Sequence, residues 1–241
     1  RQDARAVTSR APTELLHRDH GDPDRFTVGI FGVALVCLWA ARFAQNLAPD
    51  SWSRLAQLNW WASTQILFYA VVPLATLAAT GTRPSDVGWR LSGILRHSWI
   101  YGALFVVAVP FLVVASSTAD FQDHYPIYDV VVGQTNVWRD LTIWWPFYAV
   151  QFVAVETFFR GVLVIGLASR FGKSSILIAA VPYMMIHFVK PPAEAAAAIV
   201  GGLVLGYLAL RTRSIIWGIA LHVAIAGTMD VLSLGRKGFL W

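Results

Sequence analysis

Residues 144–172 read WWPFYAVQFVAVETFFRGVLVIGLASRFG, an apolar run that carries one acid, Glu156, and one guanidinium, Arg160, before it ends at Arg170. An uninterrupted stretch of this length reads as a transmembrane helix. A helix sets positions i and i+4 on one face, so Glu156 and Arg160 can pair directly. A charge near the bilayer midplane costs about 3 kcal/mol even on the most lenient insertion scale. The segment is therefore either a functional site or a self-neutralising ion pair that fixes helix packing.

The surrounding chain has the same character. Of 241 residues 56% are hydrophobic and only 14% are charged, where a soluble domain carries about a quarter. The expected fold is all-α, a polytopic transmembrane helical bundle with about seven spans. The spans read as residues 26–47, 60–80, 97–116, 141–169, 175–189, 194–210 and 215–234. A polar arm, residues 1–25, precedes them and shows no cleavable signal pattern. The fourth span is unusually long at ~43 Å and must tilt, kink or protrude. Pro191 and Pro192 end the fifth. Residues 81–96 read as a polar loop. Gly202 and Gly206 form a small-xxx-small face suited to close helix packing.

The net charge of +5 does not point to nucleic acid, because the cations are spread over the loops. With the N-terminus inside, 12 Lys and Arg lie on the inner side and 5 on the outer side, with Arg42 and Arg160 within spans. That bias favours an N-inside orientation. Trp60, Trp61, Trp99, Trp144, Trp145 and Trp217 sit at span ends, as interfacial anchors do. Cys37, the single cysteine, cannot form an intrachain disulfide.

Two histidines join the misplaced charges: His187 in the fifth span and His222 in the seventh. Counting rise from the span ends puts Glu156 at ~22 Å, His187 at ~18 Å and His222 at ~10 Å, so the three can meet within the bilayer. Asp230 falls nearer the outer end and is expected to face water. Lys190 and Glu194 flank the Pro-Pro pair at the outer interface, where charge is cheap. A carboxylate beside a histidine can take a proton from water, while a second histidine holds an oxyanion. The same residue types make a catalytic zinc set, but no His-Glu-x-x-His motif is present. No Gly-x-Ser-x-Gly and no phosphate-binding glycine loop occurs, and Cys37 has no acid or base near it in sequence.

Taken in order, Glu156-Thr-Phe-Phe-Arg160-Gly161, Tyr183-Met-Met-Ile-His187, Gly202-Leu-Val-Leu-Gly206-Tyr-Leu-Ala-Leu-Arg211-Thr212 and His222 resemble the CPBP family, the CAAX-protease and bacteriocin-processing (Abi) intramembrane proteases. The resemblance covers residues ~140–235 and divides the chain into the arm 1–25, N-terminal spans 26–139 and a CPBP-like core 140–241. It implies a glutamic-type endopeptidase acting without a cofactor, zinc being the alternative. Glu156 and His187 would activate water, His222 would hold the oxyanion, and Arg160 would hold the glutamate. It also implies membrane lipids and a membrane-associated protein or peptide substrate as partners, and the cytoplasmic membrane of a bacterium as the location. Two positions depart from the family's usual pattern. Val155 stands where the first of two adjacent glutamates is usual, and Ala226 where an Asn or other polar residue is. A homologue that had lost catalysis would serve as a scaffold or accessory subunit of a larger membrane complex. A transporter or proton relay would want more intramembrane acids, and no inverted repeat is visible.

Overall fold

The computed structural model describes residues 24–131 and 134–240. Of the arm 1–25, all but Asp24 and Arg25 lies outside these residues. Among the described residues, six helices are long and apolar enough to cross a membrane: α1 (Arg25–Leu47), α2 (Arg54–Ala79), α3 (Ile94–Ala115), α5 (Val137–Phe171), α7 (Pro192–Thr212) and α8 (Ile216–Arg236). A short α4 (Ala119–His124) lies in the α3–α5 connection. The protein is an all-helical integral membrane protein; among the described residues there is no strand. The span expected at 175–189 is α6 (Ser174–Met185), apolar but only 12 residues long. It stops short of the Pro pair, and His187 lies in the turn that follows.

The long fourth span becomes the hub. Helix α5 runs for 35 residues with 78% of its apolar window buried, against 33% or less for the other five. It accommodates its length partly by widening into π turns over Thr157–Gly166, directly after Glu156. π segments are rare and recur at functional sites. The side chains of Phe158 and Phe159 pack against Tyr69 of α2, with ring centroids 4.9 and 5.7 Å apart. Apolar residues left exposed, such as Leu35, Trp39, Val107 and Phe111, lie on peripheral helices, where lipid replaces water as the solvent.

The loop between α2 and α3 is not simply a polar surface segment. It turns through Pro84–Val87 and pushes Val87, 1% exposed, onto the middle of α5. Gly161 makes this approach possible: a Cβ there would stand 2.7 Å from the Val87 carbonyl oxygen. Gly88 follows in a left-handed conformation (φ 91°), and its carbonyl accepts from Ile215 N at 3.0 Å, which fixes the start of α8. Ser214 Oγ donates to Arg90 O (2.9 Å) and Trp217 Nε1 to Ile94 O (2.7 Å) at the same end.

The opposite end is tied through Tyr125. Its hydroxyl donates to Glu194 Oε2 (2.6 Å) and accepts from Lys190 Nζ (3.2 Å), and its carbonyl accepts from Lys237 Nζ (2.7 Å) and from Ser233. Burial, with the nearby charges, pushes the Tyr125 phenol well above its ordinary range, so it stays a donor. Lys190 and Glu194 also pair at 3.9 Å. Trp144 is fully buried rather than interfacial, stacked on Tyr148 at 5.1 Å, because it sits on the face of the hub helix that packs against α2.

Replacing Gly161 by Ala should lower the thermal midpoint of the purified protein in detergent, by an overpacking cost of about 1–3 kcal/mol. Gly227, where a Cβ meets nothing within 4 Å, should accept Ala without loss in the same measurement.

Candidate active site

Three of the residues singled out in the sequence converge on one carboxylate oxygen. Glu156 Oε1 lies 3.1 Å from Arg160 Nη1 and 2.9 Å from His222 Nδ1. The glutamate side chain is 0% exposed, Arg160 2% and His222 15%. Glu156 Oε2 has no hydrogen-bond partner among the described residues. Gly218, one turn before His222, lets α8 come this close, since a Cβ there would stand 3.0 Å from Oε2.

Arg160 is held by more than Glu156. Its guanidinium carbon sits 3.9 Å from the centroid of the Tyr183 ring. Its Nη1 and Nη2 make no aligned hydrogen bond among the described residues, so ion contact and ring face together carry its charge. The Tyr183 ring stands 5.2 Å from Phe159, and its seat on α7 depends on Gly202, where a Cβ would press on it at 3.0 Å. This gives the small-xxx-small face of α7 a specific task.

His187 joins the cluster through that same tyrosine. Its ring lies 4.6 Å from the Tyr183 ring, and its Nδ1 is 2.8 Å from the Tyr183 carbonyl. The glutamate's hydrogen bond from imidazole comes from His222, not His187. The His222 ring packs on Phe152 of α5, with centroids 4.4 Å apart and the planes tilted by 37°. Among the described residues no three His, Cys, Asp or Glu side chains are grouped to hold a metal ion. A zinc site needs about three protein ligands around one point, and the donors present do not fit that requirement.

Asp230 is completely buried rather than turned to water. Trp145 Nε1 donates to its Oδ2 at 3.1 Å, so α5 reaches across to the C-terminal half of α8 and takes the acid out of solvent. Tyr183, Phe152 and Gly218 were not assigned roles from sequence. Each precedes a site residue by four positions (His187, Glu156 and His222), so the one-face rule for helices was the signal that pointed to them.

The ion pair makes a specific demand on stability. Removing one partner of a buried pair leaves an uncompensated charge and costs about 3–5 kcal/mol. Arg160→Ala should therefore lose far more stability in detergent than the double change Arg160→Met with Glu156→Leu, which removes both charges; thermal unfolding of the two variants side by side checks this.

With the geometry in hand, comparison with known proteins adds one match. Residues 137–228 fit the model of the family described as Rce1-like, type II CAAX prenyl endopeptidase Rce1-like. No curated protein and no solved structure matches the chain. The matched stretch contains Glu156, Arg160, His187 and His222 and the π segment between them. Motif order, buried glutamate cluster and family match coincide in this segment, which spans less than half of the chain and is similar to the Rce1-like family, consistent with the CPBP type.

Proposed function

We propose that the protein is a glutamic-type intramembrane endopeptidase that cleaves a membrane-associated protein or peptide, working in a bacterial cytoplasmic membrane with its N-terminus inside. The observation that carries this reading is the sealed carboxylate of Glu156, held between Arg160 and His222 within the matched family segment. Structural ion pairs do not by themselves stabilise an interior, so the cluster calls for another reason to exist.

The hydrogen bonds constrain the roles. A carbonyl oxygen can only accept, so His187 Nδ1 donates to Tyr183 O and Nε2 is left as the basic atom of the neutral ring. His222 Nδ1 meets an ionised carboxylate and donates as well. In its protonated form His222 then has an Nε2–H to offer an oxyanion. Water gives its proton to His187 Nε2, or to Glu156 Oε2 when the closed cluster opens to admit it, and the hydroxide forms a C–O bond with the scissile carbonyl carbon. The carbonyl electron pair moves onto oxygen, where His222 stabilises it. Collapse of that intermediate breaks the C–N bond, and the held proton passes to the leaving amine. Arg160 pairs with Glu156 and holds it in place. No covalent enzyme intermediate and no metal enters the scheme.

A second reading rests on specific positions. Val155 is 2% exposed in the apolar core, and Ala226 is 5% exposed, so neither supplies the polar group usual there in the family. If Glu156 cannot activate water alone, the cluster is a packing device and the chain is a scaffold or subunit of a membrane complex.

The deciding assay offers the protein, in liposomes, a prenylated peptide ending in a CAAX sequence together with a set of membrane-anchored peptides. Cleavage that disappears in Glu156→Gln and falls about 10²–10³-fold in His222→Ala would support the peptidase. No cleavage of any peptide, joined to a stoichiometric copurifying partner that survives His187→Ala and His222→Ala, would support the scaffold.

A further inference from the structure

A cavity lies away from the glutamate, at the end of the bundle where α1 begins and α5 and α7 finish. It measures about 530 Å³, within the range of specific small-ligand sites. Its inner wall is apolar, formed by Val87 of the inserted loop with Ile165 and Gly166 of the π segment. Its rim carries Lys173, Arg213, Thr82 and Ser169, with Phe26 and Leu210 beside them.

We infer that this cavity binds the phosphate-bearing headgroup of an anionic phospholipid from the adjoining leaflet. Four observations converge on it. First, every wall comes from a helix end or loop on one side of the bundle, so the mouth lies at headgroup level. Second, Lys173 and Arg213 are exposed, and neither side chain has an ion-pair or hydrogen-bond partner among the described residues.

Third, the acid on the wall is already engaged. Asp86 accepts from Arg83 N at 3.0 Å and faces Arg90 at 4.0 Å. Fourth, Arg213 holds a left-handed backbone conformation, φ 55°, at the end of α7. That position ordinarily goes to Gly or Asn, so an arginine there is kept against local preference. The helix end itself favours a cation, but Arg211 in the last turn already supplies one.

Cations at the rim and apolar residues beneath match a phosphate above and the first carbons of an acyl chain below. Basic pockets between transmembrane helices on the cytoplasmic side bind anionic headgroups in this manner. The positive bias of this end places it on that side. The bound lipid would press on Val87 and Ile165, and so brace the inserted loop against the segment that carries Glu156 and Arg160.

The test does not depend on peptidase activity. Purified full-length protein in detergent is given phosphatidylglycerol, phosphatidylcholine or inorganic phosphate, and lipid retention is read by native mass spectrometry beside the thermal midpoint. The variant is Lys173→Gln with Arg213→Asn; Asn is chosen because it accepts the left-handed conformation and keeps the turn. Phosphatidylglycerol alone should be retained and should raise the midpoint. The double variant should hold it about 30-fold more weakly, from about 1 kcal/mol per basic residue, with its midpoint in phosphatidylcholine unchanged. Lys237→Gln, at the opposite end, should retain the lipid like the parent protein. Equal retention by the double variant, no preference for phosphatidylglycerol over phosphatidylcholine, or an equal midpoint shift from inorganic phosphate would each overturn the inference.

Discussion

A carboxylate and a guanidinium in hydrocarbon must neutralise each other or be hidden from it, and Glu156 and Arg160 do both. The two groups lie 3.1 Å apart with almost no exposure. Hiding them requires protein on every side of one helix, which is why α5 sits at the centre while its neighbours leave faces open to lipid. The requirement extends to individual atoms. Gly218 gives room beside the glutamate, Gly161 admits the Val87 carbonyl one residue after the arginine, and Gly202 seats the ring that covers the guanidinium. Three of the bundle's glycines thus serve one buried pair.

The site is consequently assembled from parts of the chain that the family match does not cover as well as from those that it does. The match begins at residue 137, yet Val87 and Tyr69 come from before it and pack on the π segment. Those contacts set the position of the helix that carries the charges. Helices α1 and α2 are therefore part of the scaffold that holds the acid in register with His222, beyond their role as spans.

Much of this was legible in the sequence, for a physical reason. Intramembrane charges are costly, so Glu156, Arg160, His187 and His222 stand out against an apolar background without any structure. The hub role of residues 144–172 was visible only as excess length. What stayed hidden involved pairings across the fold. That the imidazole bonded to Glu156 belongs to α8, and that His187 is linked through Tyr183, depends on helix rotation, which a residue count does not give. Asp230 read as solvent-facing because depth along a helix says nothing about which neighbour covers it; Trp145 does. Trp144 misled in the same way, since an aromatic at a span end packs inward when its helix is surrounded. The inserted loop was missed because its apolar contact is a single residue, Val87, between Arg83 and Arg90.

Helix α6 is short, and the turn after it has to supply the missing depth. Twelve residues reach ~18 Å, whereas the hydrocarbon core is ~30 Å thick. Helix α7 starts a full span at Pro192, directly after the turn that holds His187 and Lys190, so residues 186–191 cover the remaining depth as irregular backbone. Irregular backbone and a lysine ammonium are tolerated at such depth only where protein or water surrounds them. Tyr125 and Glu194 are that protein for Lys190. His187 is thus carried by a turn tied through Tyr125, which precedes the family match, rather than by a helix.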